Sequence, residues 1–554
     1  MNYVSDWRTI QDLNNLYEFL AYIADKYPHN YVVQTLREGD VTSYTYERLV
    51  ADVRKIGNYL IRSGYSNRHI ALIGNFSYEW MASFFALLYA NNVVVPIDYG
   101  QSRERMLDLI HRAEASVILA QRSVLSGRRE ITADDRIQSI LYFDEWESIL
   151  RSDAHADRET PFDPPAQDAN AMIMYTSGTT GISKGILLTH RNILHNAVAT
   201  VSRIGENAFP PGRTSLALLP PFHMFWIAAG IFATIYYGEA LCYSDNSLKD
   251  IELLIKTFKP TCLIGVPQMV EGLHKKIWAT AKKTGKEQLL RSMLHISNGL
   301  RKIKIDLRPL FFKSISDSLG GNLHTIICGG AAADEQVLKE LSGFGITTLV
   351  GYGVNECSSI VSVNPPERQK HSSIGLPVPE PFCHVRIKDE EIQISGSIVM
   401  RGYFNDREGT EEAFDGEWFK TGDIGFIDED GYLYITGRKK NLIILSDGNN
   451  ISPEELETRI RESPIVDSVL VYAAEGRQAS ALHASVFPNA DYCDVHAIHN
   501  VKEELMKLIS QINAENPRYM KIFDVHIRNE PFEKTAIGKI KRYLYTDRKE
   551  AQNG

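Results

Sequence analysis

Cysteine is scarce in this chain of 554 residues. Its six cysteines stand far apart, with no paired spacing, at Cys242, Cys262, Cys328, Cys357, Cys383 and Cys493. A disulfide framework belongs to small secreted chains rich in cysteine, and a structural zinc site needs clustered cysteine and histidine ligands. Most of the six lie in apolar runs, where cysteine behaves as a small hydrophobic residue. We therefore expect reduced cysteines packed in the interior.

An excess of positive charge is also lacking. The 69 acidic residues outnumber the 60 basic ones, and the net charge is −9. Proteins that bind nucleic acids carry a basic patch or stripe, so this balance argues against a nucleic-acid partner. The N-terminal residues lack the apolar core of a signal peptide. These features together predict a cytoplasmic protein.

Long hydrophobic runs are the third absence. The stretch 215–238 has no formal charge, but Pro220, Pro221 and His223 interrupt it, so we predict no transmembrane segment. No amphipathic basic helix indicates docking at a membrane surface. The length exceeds the roughly 250–300 residues that one hydrophobic core serves, so the chain is expected to contain more than one domain.

Short apolar runs alternate with helical patterns over most of the chain. Near-continuous runs of this kind are typical of strands buried on both faces of a mostly parallel sheet. They occupy residues 116–120, 261–267, 324–330 and 346–350. Between the last two, Asp334 begins a helical stripe that ends at glycines. The pattern predicts a large α/β region with helices flanking the sheets.

The C-terminal part has a different pattern of helix and strand signals. Ser452 and Glu455 are spaced as a capping box, and Pro453 between them suits the first position of a helix. A second helical stripe begins at Val501, and short strand patterns surround both helices. We predict a small α+β domain of roughly 115 residues, which is a plausible independent size.

A loop rich in glycine and hydroxyl side chains, YTSGTTGISKG at 175–185, follows an apolar strand pattern. Glycines let backbone N–H groups converge on an anion, hydroxyls donate further bonds, and Lys184 supplies positive charge. The string matches neither of the two common phosphate-binding fingerprints, which argues against a generic P-loop NTPase. From composition alone, a solvated surface turn is the alternative reading.

This string resembles the ATP signature of the adenylate-forming superfamily, which includes acyl-CoA synthetases and peptide-synthetase adenylation domains. Further segments resemble the motifs of that family in the same order. They are LLPPFHMF at 218–225, GGAAA at 329–333, GYGVNEC at 351–357, WFKTGDIGFIDEDGYLYITGRKKN at 418–441 and KTAIGKIKR at 534–542. The resemblance implies an AMP-binding N-terminal domain at 1–437 and a mobile lid domain at 438–554, with a hinge near Lys440.

The resemblance also assigns residues to ATP and Mg²⁺. Lys539, Glu356, Thr176 and Lys184 are expected to be catalytic, with Glu356 as the Mg²⁺ ligand. Tyr352 would stack on adenine, Asp423 would bind the ribose, and Arg438 would reach the ribose or the phosphates. The ATP-binding set is Thr176, Ser177, Gly178, Thr179, Thr180, Gly181, Lys184, Gly330, Ala331, Tyr352, Gly353, Asn355, Asp423 and Arg438. Asn355 departs from the family, which usually has threonine there.

The implied reaction activates a carboxylic acid as an acyl adenylate and transfers the acyl group to a thiol. The expected acid-binding residues are His223, Phe225, Trp226, Gly329 and Gly351, and Gly448 is expected to meet CoA. The apolar side chains after Pro221 favour a fatty-type acid over an amino acid, whose ammonium would need a buried carboxylate. CoA is the expected acceptor. A carrier-protein phosphopantetheine thiol, or a catalytically weak nucleotide-binding homologue, is the alternative.

Overall fold

The computed structural model describes residues 7–126, 128, 131, 133–153, 160–175, 183–205, 209, 212–245, 247–444, 450–474, 481–534 and 539–546. This part of the chain divides into two compact units. The larger unit contains the described residues up to 175, Ser183–Val385 and Ile394–Phe419, and the smaller contains Arg386–Gln393 and the described residues from Lys420 onward. The domain boundary expected at 437/438 stays a prediction.

The first sheet of the larger unit has nine strands. From one edge to the other they are β15 (Leu376–Pro377), β14 (Ser362–Val363), β13 (Thr347–Tyr352), β12 (Thr325–Cys328), β11 (Cys262–Gly265), β9 (Thr214–Leu216), β10 (Ala240–Ser244), β1 (Tyr31–Arg37) and β2 (Asp40–Thr45). The strands from β13 across to β1 pair in parallel, and antiparallel strands close both edges.

The second sheet of the larger unit has seven strands. In order they are β18 (Gly402–Tyr403), β8 (Gly185–Thr189), β7 (Asn170–Tyr175), β4 (Val93–Pro96), β3 (His69–Ile73), β5 (Val117–Ala120) and β6 (Ser139–Tyr142). The central strands are parallel, while β8 pairs antiparallel with both β7 and β18. Strands β3, β4 and β5 are apolar nearly throughout and buried, as expected for strands covered on both faces.

Three further sheets lie within the part of the chain that the structure describes. A five-stranded sheet contains β16 (His384–Lys388), β17 (Glu391–Ser395), β20 (Trp418–Ile427), β19 (Phe414–Asp415) and β21 (Leu433–Arg438). A two-stranded sheet pairs β22 (Ile443–Ile444) with β23 (Asn450–Ile451), and a three-stranded sheet contains β24 (Val466–Ala474), β25 (Ala481–Pro488) and β26 (Ile522–Ile527).

Helices cover the sheets of the larger unit. They are α1 (Trp7–Gln11), α2 (Leu16–Lys26), α3 (Tyr46–Arg62), α4 (Tyr78–Tyr89), α5 (Arg103–Arg112), α6 (Arg122–Leu125), α7 (Trp146–Ser152), α8 (His190–Ile204), α9 (Ala233–Tyr236), α10 (Ile251–Phe258), α11 (Pro267–Lys283), α12 (Glu287–Lys302), α13 (Arg308–Phe311), α14 (Lys313–Ser318), α15 (Glu335–Gly343) and α16 (Arg407–Ala413). The smaller unit adds α17 (Pro453–Arg461), α18 (Ala490–Val495), α19 (Val501–Glu515) and α20 (Tyr543–Thr546).

The α/β prediction is confirmed, as are the runs interpreted as buried strands, which form β5, β11, β12 and β13. Asp334 caps α15, because its carboxylate accepts hydrogen bonds from the N–H groups of Gln336 and Val337 at 2.8 and 3.0 Å. All six cysteines are free and buried, in agreement with their apolar surroundings. Within the described residues, no helix is both long and apolar enough to cross a bilayer.

One local prediction is wrong. Helix α17 begins at Pro453 as expected, but the Ser452 side chain makes no capping hydrogen bond to it. The Ser452 hydroxyl instead donates to the carbonyl oxygen of Thr436 at 2.7 Å. The close approach of Gly437 makes this possible, since a side chain there would place its Cβ 2.1 Å from the Ser452 oxygen.

Candidate active site

The acid-binding candidates follow neighbouring strands of the nine-stranded sheet. Strands β9, β11, β12 and β13 are adjacent and parallel, so the segments after their carboxyl ends meet at one edge of the sheet. The segment after β9 carries His223 and Phe225, the segment after β12 carries Gly329, and Gly351 lies in β13. This edge is where open α/β sheets usually bind ligands.

Contacts confirm that three of these residues lie together. A Cβ placed on Gly329 would stand 3.0 Å from two ring carbons of Phe225 and 3.5 Å from the carbonyl oxygen of Gly351. Gly329 therefore lets the aromatic ring rest directly on the backbone. Gly330, the next residue, has a φ of +86°, in the left-handed region that favours glycine. Ala331 follows it and is partly exposed.

His223 and Trp226 have different surroundings. The His223 ring packs against Phe222 with ring centroids 4.9 Å apart, and Phe222 meets Tyr99 edge to face at 5.7 Å. Trp226 is fully buried, where it packs against Phe76 at 5.5 Å and over Gly230. The apolar character expected after Pro221 is therefore present, and Trp226 belongs to the core behind this segment.

A short, tightly closed loop carries Tyr352, Gly353, Asn355 and Glu356. Tyr352 is buried at the end of β13, and residues Asn355–Cys357 form one 3₁₀ turn. Gly353 is required by the close passage of the chain, because a Cβ there would stand 1.1 Å from the carbonyl oxygen of Ser359. Backbone hydrogen bonds from Ser359 to Val354 at 3.1 Å and from Val361 to Tyr352 at 2.8 Å close the loop.

Glu356 and Lys184 both contact one tyrosine, Tyr403. The Tyr403 hydroxyl donates to Glu356 Oε1 at 3.2 Å, and the Lys184 ammonium lies 4.5 Å from the centroid of the Tyr403 ring. Lys184 also pairs with Asp406 at 3.6 Å. Burial, and then the negative charge of Glu356, raise the pKa of Tyr403, so the phenol keeps its proton and donates.

The side chains around Glu356 supply only some of the ligands that a bound cation needs. Among the residues that the structure describes, no group of three or more histidine, cysteine or carboxylate side chains is placed to hold a metal. The half-buried Glu356 carboxylate is a hard oxygen donor of the type that Mg²⁺ prefers. A Mg²⁺ ion bound here would therefore need further ligands from substrate phosphates or water, which is its usual mode.

Sequence reasoning missed Tyr403 and Asp406. Both lie on or next to β18, a strand of two residues that pairs with β8, which begins immediately after Lys184. A strand this short leaves no periodic signal, and more than 200 residues separate it from Lys184. The predicted residues Thr176, Ser177, Gly178, Thr179, Thr180 and Gly181 lie outside the described residues, as does Gly448.

In the smaller unit, Asp423 and Arg438 face each other across β20 and β21. Arg438 Nε lies 2.6 Å from Asp423 Oδ1, and the Asp423 side chain is almost fully buried while Arg438 keeps about a third of its surface exposed. Thr421, two residues before Asp423, donates its hydroxyl to the carbonyl oxygen of Ile392 at 2.7 Å. The Asp423–Arg438 pair is therefore supported by the pairing of β20 with β21 and by the hydrogen bond of Thr421 to β17.

Lys539 lies in the electrostatic field of this same pair. Desolvation, joined by the positive charges of Arg438 and Lys440, lowers the pKa of Lys539 to about 8, and the negative charge of Asp423 opposes this shift. The residue keeps exposed surface, although protein atoms crowd around its ammonium group. Lys440, the expected hinge, is exposed within the 3₁₀ turn that follows β21.

A buried ion pair holds the chain just beyond Lys539, and sequence reasoning missed it too. Arg542 donates to both oxygens of Glu457, at 2.7 and 2.8 Å, and to the carbonyl oxygen of Val471 at 3.0 Å. Glu457 also accepts from the N–H of Val471 at 2.6 Å. A glutamate among the buried positions of α17, and an arginine three residues after Lys539, were the available signals.

Two family models match the chain. The AMP-binding enzyme model covers residues 20–404, and the AMP-binding enzyme C-terminal domain model covers residues 440–550. Among curated relatives, "Long-chain-fatty-acid--CoA ligase FadD15" of Mycobacterium bovis is 28% identical over 94% of this chain and 93% of its own length. "Long-chain-fatty-acid--CoA ligase 5" of Mus musculus is 26% identical over 88% of this chain and 79% of its own.

A solved structure shares the fold. The o-succinylbenzoate CoA synthetase of Bacillus subtilis, in complex with its acyl-adenylate intermediate, superposes with a TM-score of 0.74 at 22% identity, over 97% of this chain and 99% of that one. The N-terminal family model alone covers well over half of the 554 residues. The chain belongs to the AMP-binding enzyme family, and the two fatty-acid CoA ligases named above are AMP-forming acid–thiol ligases of this family.

Proposed function

We propose that this protein uses ATP and Mg²⁺ to activate a long-chain fatty acid and then transfers the acyl group to CoA. The observation that carries the proposal is the convergence of Asp423, Arg438 and Lys539 in one unit, with an ammonium group whose pKa lies near 8. The names of the full-length relatives, both fatty-acid CoA ligases, support the choice of acid and acceptor.

In the first step, a carboxylate oxygen attacks the α-phosphorus of ATP. The new P–O bond joins the acid to AMP, the bond to the β,γ-diphosphate breaks, and pyrophosphate leaves with the bonding electrons. Such reactions depend on positioning and on positive charge at the phosphates. Lys539 would bridge the attacking carboxylate and the α-phosphate, while Asp423 accepts hydrogen bonds from the ribose hydroxyls.

Within the larger unit, we assign Lys184, Tyr352 and Glu356 to ATP and Mg²⁺. Lys184 is the charge next to the glycine-rich segment, and we assign Tyr352, which is buried at the end of β13, to adenine. Glu356 would hold Mg²⁺, which neutralises phosphate charge when it is bound. Tyr403 orients Glu356 through the 3.2 Å hydrogen bond and keeps one of its oxygens aligned.

The acid is proposed to be aliphatic because the segment around Phe225 is apolar. Phe225 lies on Gly329 and Gly351, and Phe222 and Tyr99 pack beside His223. An amino-acid substrate would bring an ammonium group that needs a buried carboxylate partner. The segment 217–227 contains no acidic residue.

In the second step, the CoA thiolate attacks the acyl carbonyl carbon. The C–S bond forms, the acyl–phosphate bond breaks, and AMP leaves. We assign Gly448 to the CoA side of this step and Lys440 to the hinge, following their positions in the sequence motifs. Lys539 has no assigned task here, so the two steps should respond differently to its loss.

The test measures both half-reactions separately. Pyrophosphate release from ATP and Mg²⁺ is followed over a panel of acids from acetate to long-chain fatty acids, with and without CoA, and thioester formation is followed from supplied acyl adenylate. Lys539→Ala should lose the first activity and keep the second, while Lys507→Ala, an exposed lysine of the same unit, should change neither. Equal loss of both half-reactions in Lys539→Ala contradicts the assignment.

The dependence of pyrophosphate release on the acid and on CoA also tests the proposal. Release of pyrophosphate that CoA stimulates with long acids agrees with it. Release that CoA does not stimulate favours a carrier-protein thiol, and no release with any acid of the panel rejects the function.

A further inference from the structure

Helix α12 exposes an aliphatic stripe on its outer face. Leu289 and Ile296 of the helix, and Ile303, which caps its C-terminus, stand seven residues apart, and their relative exposures are 57%, 52% and 66%. Residues two turns apart lie on nearly the same side of a helix. Leu310 extends the exposed aliphatic surface from α13, which packs against α12, and it is 72% exposed.

A second face of α12, about 100° around the helix from the stripe, is already packed. Leu290 and Ser297 are its buried residues, and Leu294 packs against the core cluster of the nine-stranded sheet. The helix therefore has two apolar faces, of which the fold uses one. Contiguous exposed aliphatic residues of this kind usually mark a surface that contacts a membrane or a partner.

Positive charge is concentrated around the stripe. Residues 272–313 carry eleven lysines and arginines against two acidic residues, Glu287 and Asp306, in a chain whose net charge is −9. The segment alone has a net charge of +9. A basic segment within an acidic protein is not a consequence of overall composition.

Five of these lysines are exposed at the two ends of α12, namely Lys282, Lys283, Lys286, Lys302 and Lys304. None of the five forms an ion pair with a residue that the structure describes. The pairs of this segment use Lys276, Arg291, Arg308 and Lys313 instead. The five ammonium groups flank the aliphatic stripe and are available to an external anion.

Three kinds of occupant could cover this surface. A second copy of the chain would place two segments of +9 against each other, which charge repulsion opposes. A different protein fits poorly as well, because protein interfaces are depleted in lysine and enriched in tryptophan and tyrosine, whereas here lysines surround leucine and isoleucine. An anionic bilayer accepts both features, because acyl chains take up the aliphatic side chains and lipid phosphates attract the lysines.

We propose that the aliphatic stripe and its five lysines form a docking surface for an anionic phospholipid bilayer, with α12 lying parallel to the membrane plane. The proposal departs from the sequence-based expectation, in which no amphipathic basic helix indicated docking at a membrane surface. The inference does not rest on the proposed function, since none of the residues assigned to ATP or to the acid lies in α11, α12 or α13.

The test uses the full chain and vesicles of two compositions, phosphatidylcholine alone and phosphatidylcholine with phosphatidylglycerol. Co-flotation should be strong with the anionic vesicles at about 0.1 M salt and weak at about 1 M salt, where the Debye length falls from about 10 Å to about 3 Å. Binding to neutral vesicles should be much weaker, because the stripe alone is small.

Two variants separate the two components of the surface. Replacing Lys282, Lys283 and Lys286 with glutamine should lower the partition coefficient on anionic vesicles about tenfold to a hundredfold, because each cation near such a surface contributes substantially to binding. Replacing Leu289, Ile296 and Ile303 with glutamine should lower binding about tenfold or more at both salt concentrations. The matched control replaces Val41, Val495 and Phe523, exposed apolar residues elsewhere, with glutamine and should bind as the wild type does.

Two results would overturn the proposal. One is equal flotation of the wild type and both triple variants. Another is a dimer in analytical ultracentrifugation that the Leu289/Ile296/Ile303 variant abolishes, which would make the surface an interface between copies. A thermal unfolding transition at the wild-type temperature is the control that shows both triple variants to be folded, so that lost flotation reports the surface.

Discussion

Arg542 donates two hydrogen bonds to the buried carboxylate of Glu457, at 2.7 and 2.8 Å. The pair joins α17 to the segment that begins at Lys539, so the chain on the far side of the lysine is held in place. The two cations are three positions apart along the chain, so the anchor at Arg542 restricts where Lys539 can lie.

Glu457→Gln should destabilise the smaller unit and slow adenylation. Removing one partner of a buried ion pair typically costs about 3–5 kcal/mol, because the other charge is left uncompensated. We expect pyrophosphate release to fall at least about tenfold in protein that is still folded, with thioester formation from supplied acyl adenylate largely retained. Urea unfolding and the two half-reaction assays measure these effects. Glu455→Gln, an exposed change on the same helix, is the control.

The alkaline side of the pH profile should report Lys539. Since its pKa is lowered to about 8, the ammonium form dominates below that pH and is lost as the pH rises through it. We expect kcat/KM for ATP in the adenylation step to decline above about pH 8, because this parameter reflects ionisation in the free enzyme. Lys539→Arg keeps its charge and should lack the decline, even if its rate is lower. A wild-type profile that stays flat well above pH 8 would refute the assignment.

Glu239 should make stability decrease between mildly acidic and neutral pH. Burial raises its pKa to about 7 from a usual value near 4.5, although Ser215 donates a hydrogen bond to it at 3.0 Å. The folded form thus binds a proton that the unfolded form releases above about pH 4.5. Stability from this group is complete below that pH and is lost as the pH rises towards 7, by on the order of 3 kcal/mol.

Glu239→Gln removes that ionisation. Compared with the wild type, the variant should show little change in unfolding free energy at pH 4.5 and a relative gain at pH 8. Glu367→Gln, at an exposed position, should show no such pH-dependent gain. The same difference between variant and wild type at both pH values would contradict the buried, protonated state.

Gly329→Ala should affect the acid more than the nucleotide. The added methyl group would stand 3.0 Å from the ring of Phe225, so the ring must shift into the space proposed for the acid. Overpacking of this kind costs about 1–3 kcal/mol, and we expect KM for the acid to rise about tenfold with KM for ATP nearly unchanged. Gly272→Ala has no atom within 4 Å of the new methyl group and serves as the control. A change confined to KM for ATP would argue against an acid site at Phe225.

Tyr403→Phe tests the support given to Glu356. The variant loses the hydroxyl that donates to the carboxylate but keeps the ring beside Lys184. Residues that orient a metal ligand typically contribute about tenfold to metal affinity, so the Mg²⁺ concentration for half-maximal pyrophosphate release should rise by about that factor. Tyr434→Phe removes a similar hydrogen bond to Asp428 and should leave it unchanged. An unchanged Mg²⁺ requirement in Tyr403→Phe would show that Glu356 needs no such support.

Much of the fold could be predicted because its signals are local. Strands such as β12 and β13 are continuous apolar runs, and Asp334 marks the helix between them. The pairing of β18 with β8 could not be predicted, since two residues carry no period and the contact spans more than 200 positions. Ser452 illustrates a different limit, because a capping sequence competes with any nearby carbonyl group that the fold supplies.

The candidate site residues divide in the same way. Gly329, Phe225 and Gly351 could be identified from their motifs and are brought together by adjacent parallel strands. The periodicity of α12 predicts a helix with apolar stripes, but it does not tell which stripe the fold will bury. That choice depends on the packing of the nine-stranded sheet, which only the structure defines.

The crossing of the chain at Gly353 has a thermodynamic consequence for the loop that carries Glu356. Two further hydrogen bonds add to the backbone bonds that close the loop. The Met400 N–H donates to the Glu356 carbonyl oxygen at 2.7 Å, and the Ser358 hydroxyl donates to the Ile398 carbonyl oxygen at 3.1 Å. Ordering a free loop of six residues would oppose ligand binding by about 1–2 kcal/mol for each residue. Here that ordering is completed when the protein folds, so the entropy lost in fixing the carboxylate lowers the stability of the fold and leaves the affinity for a cation undiminished.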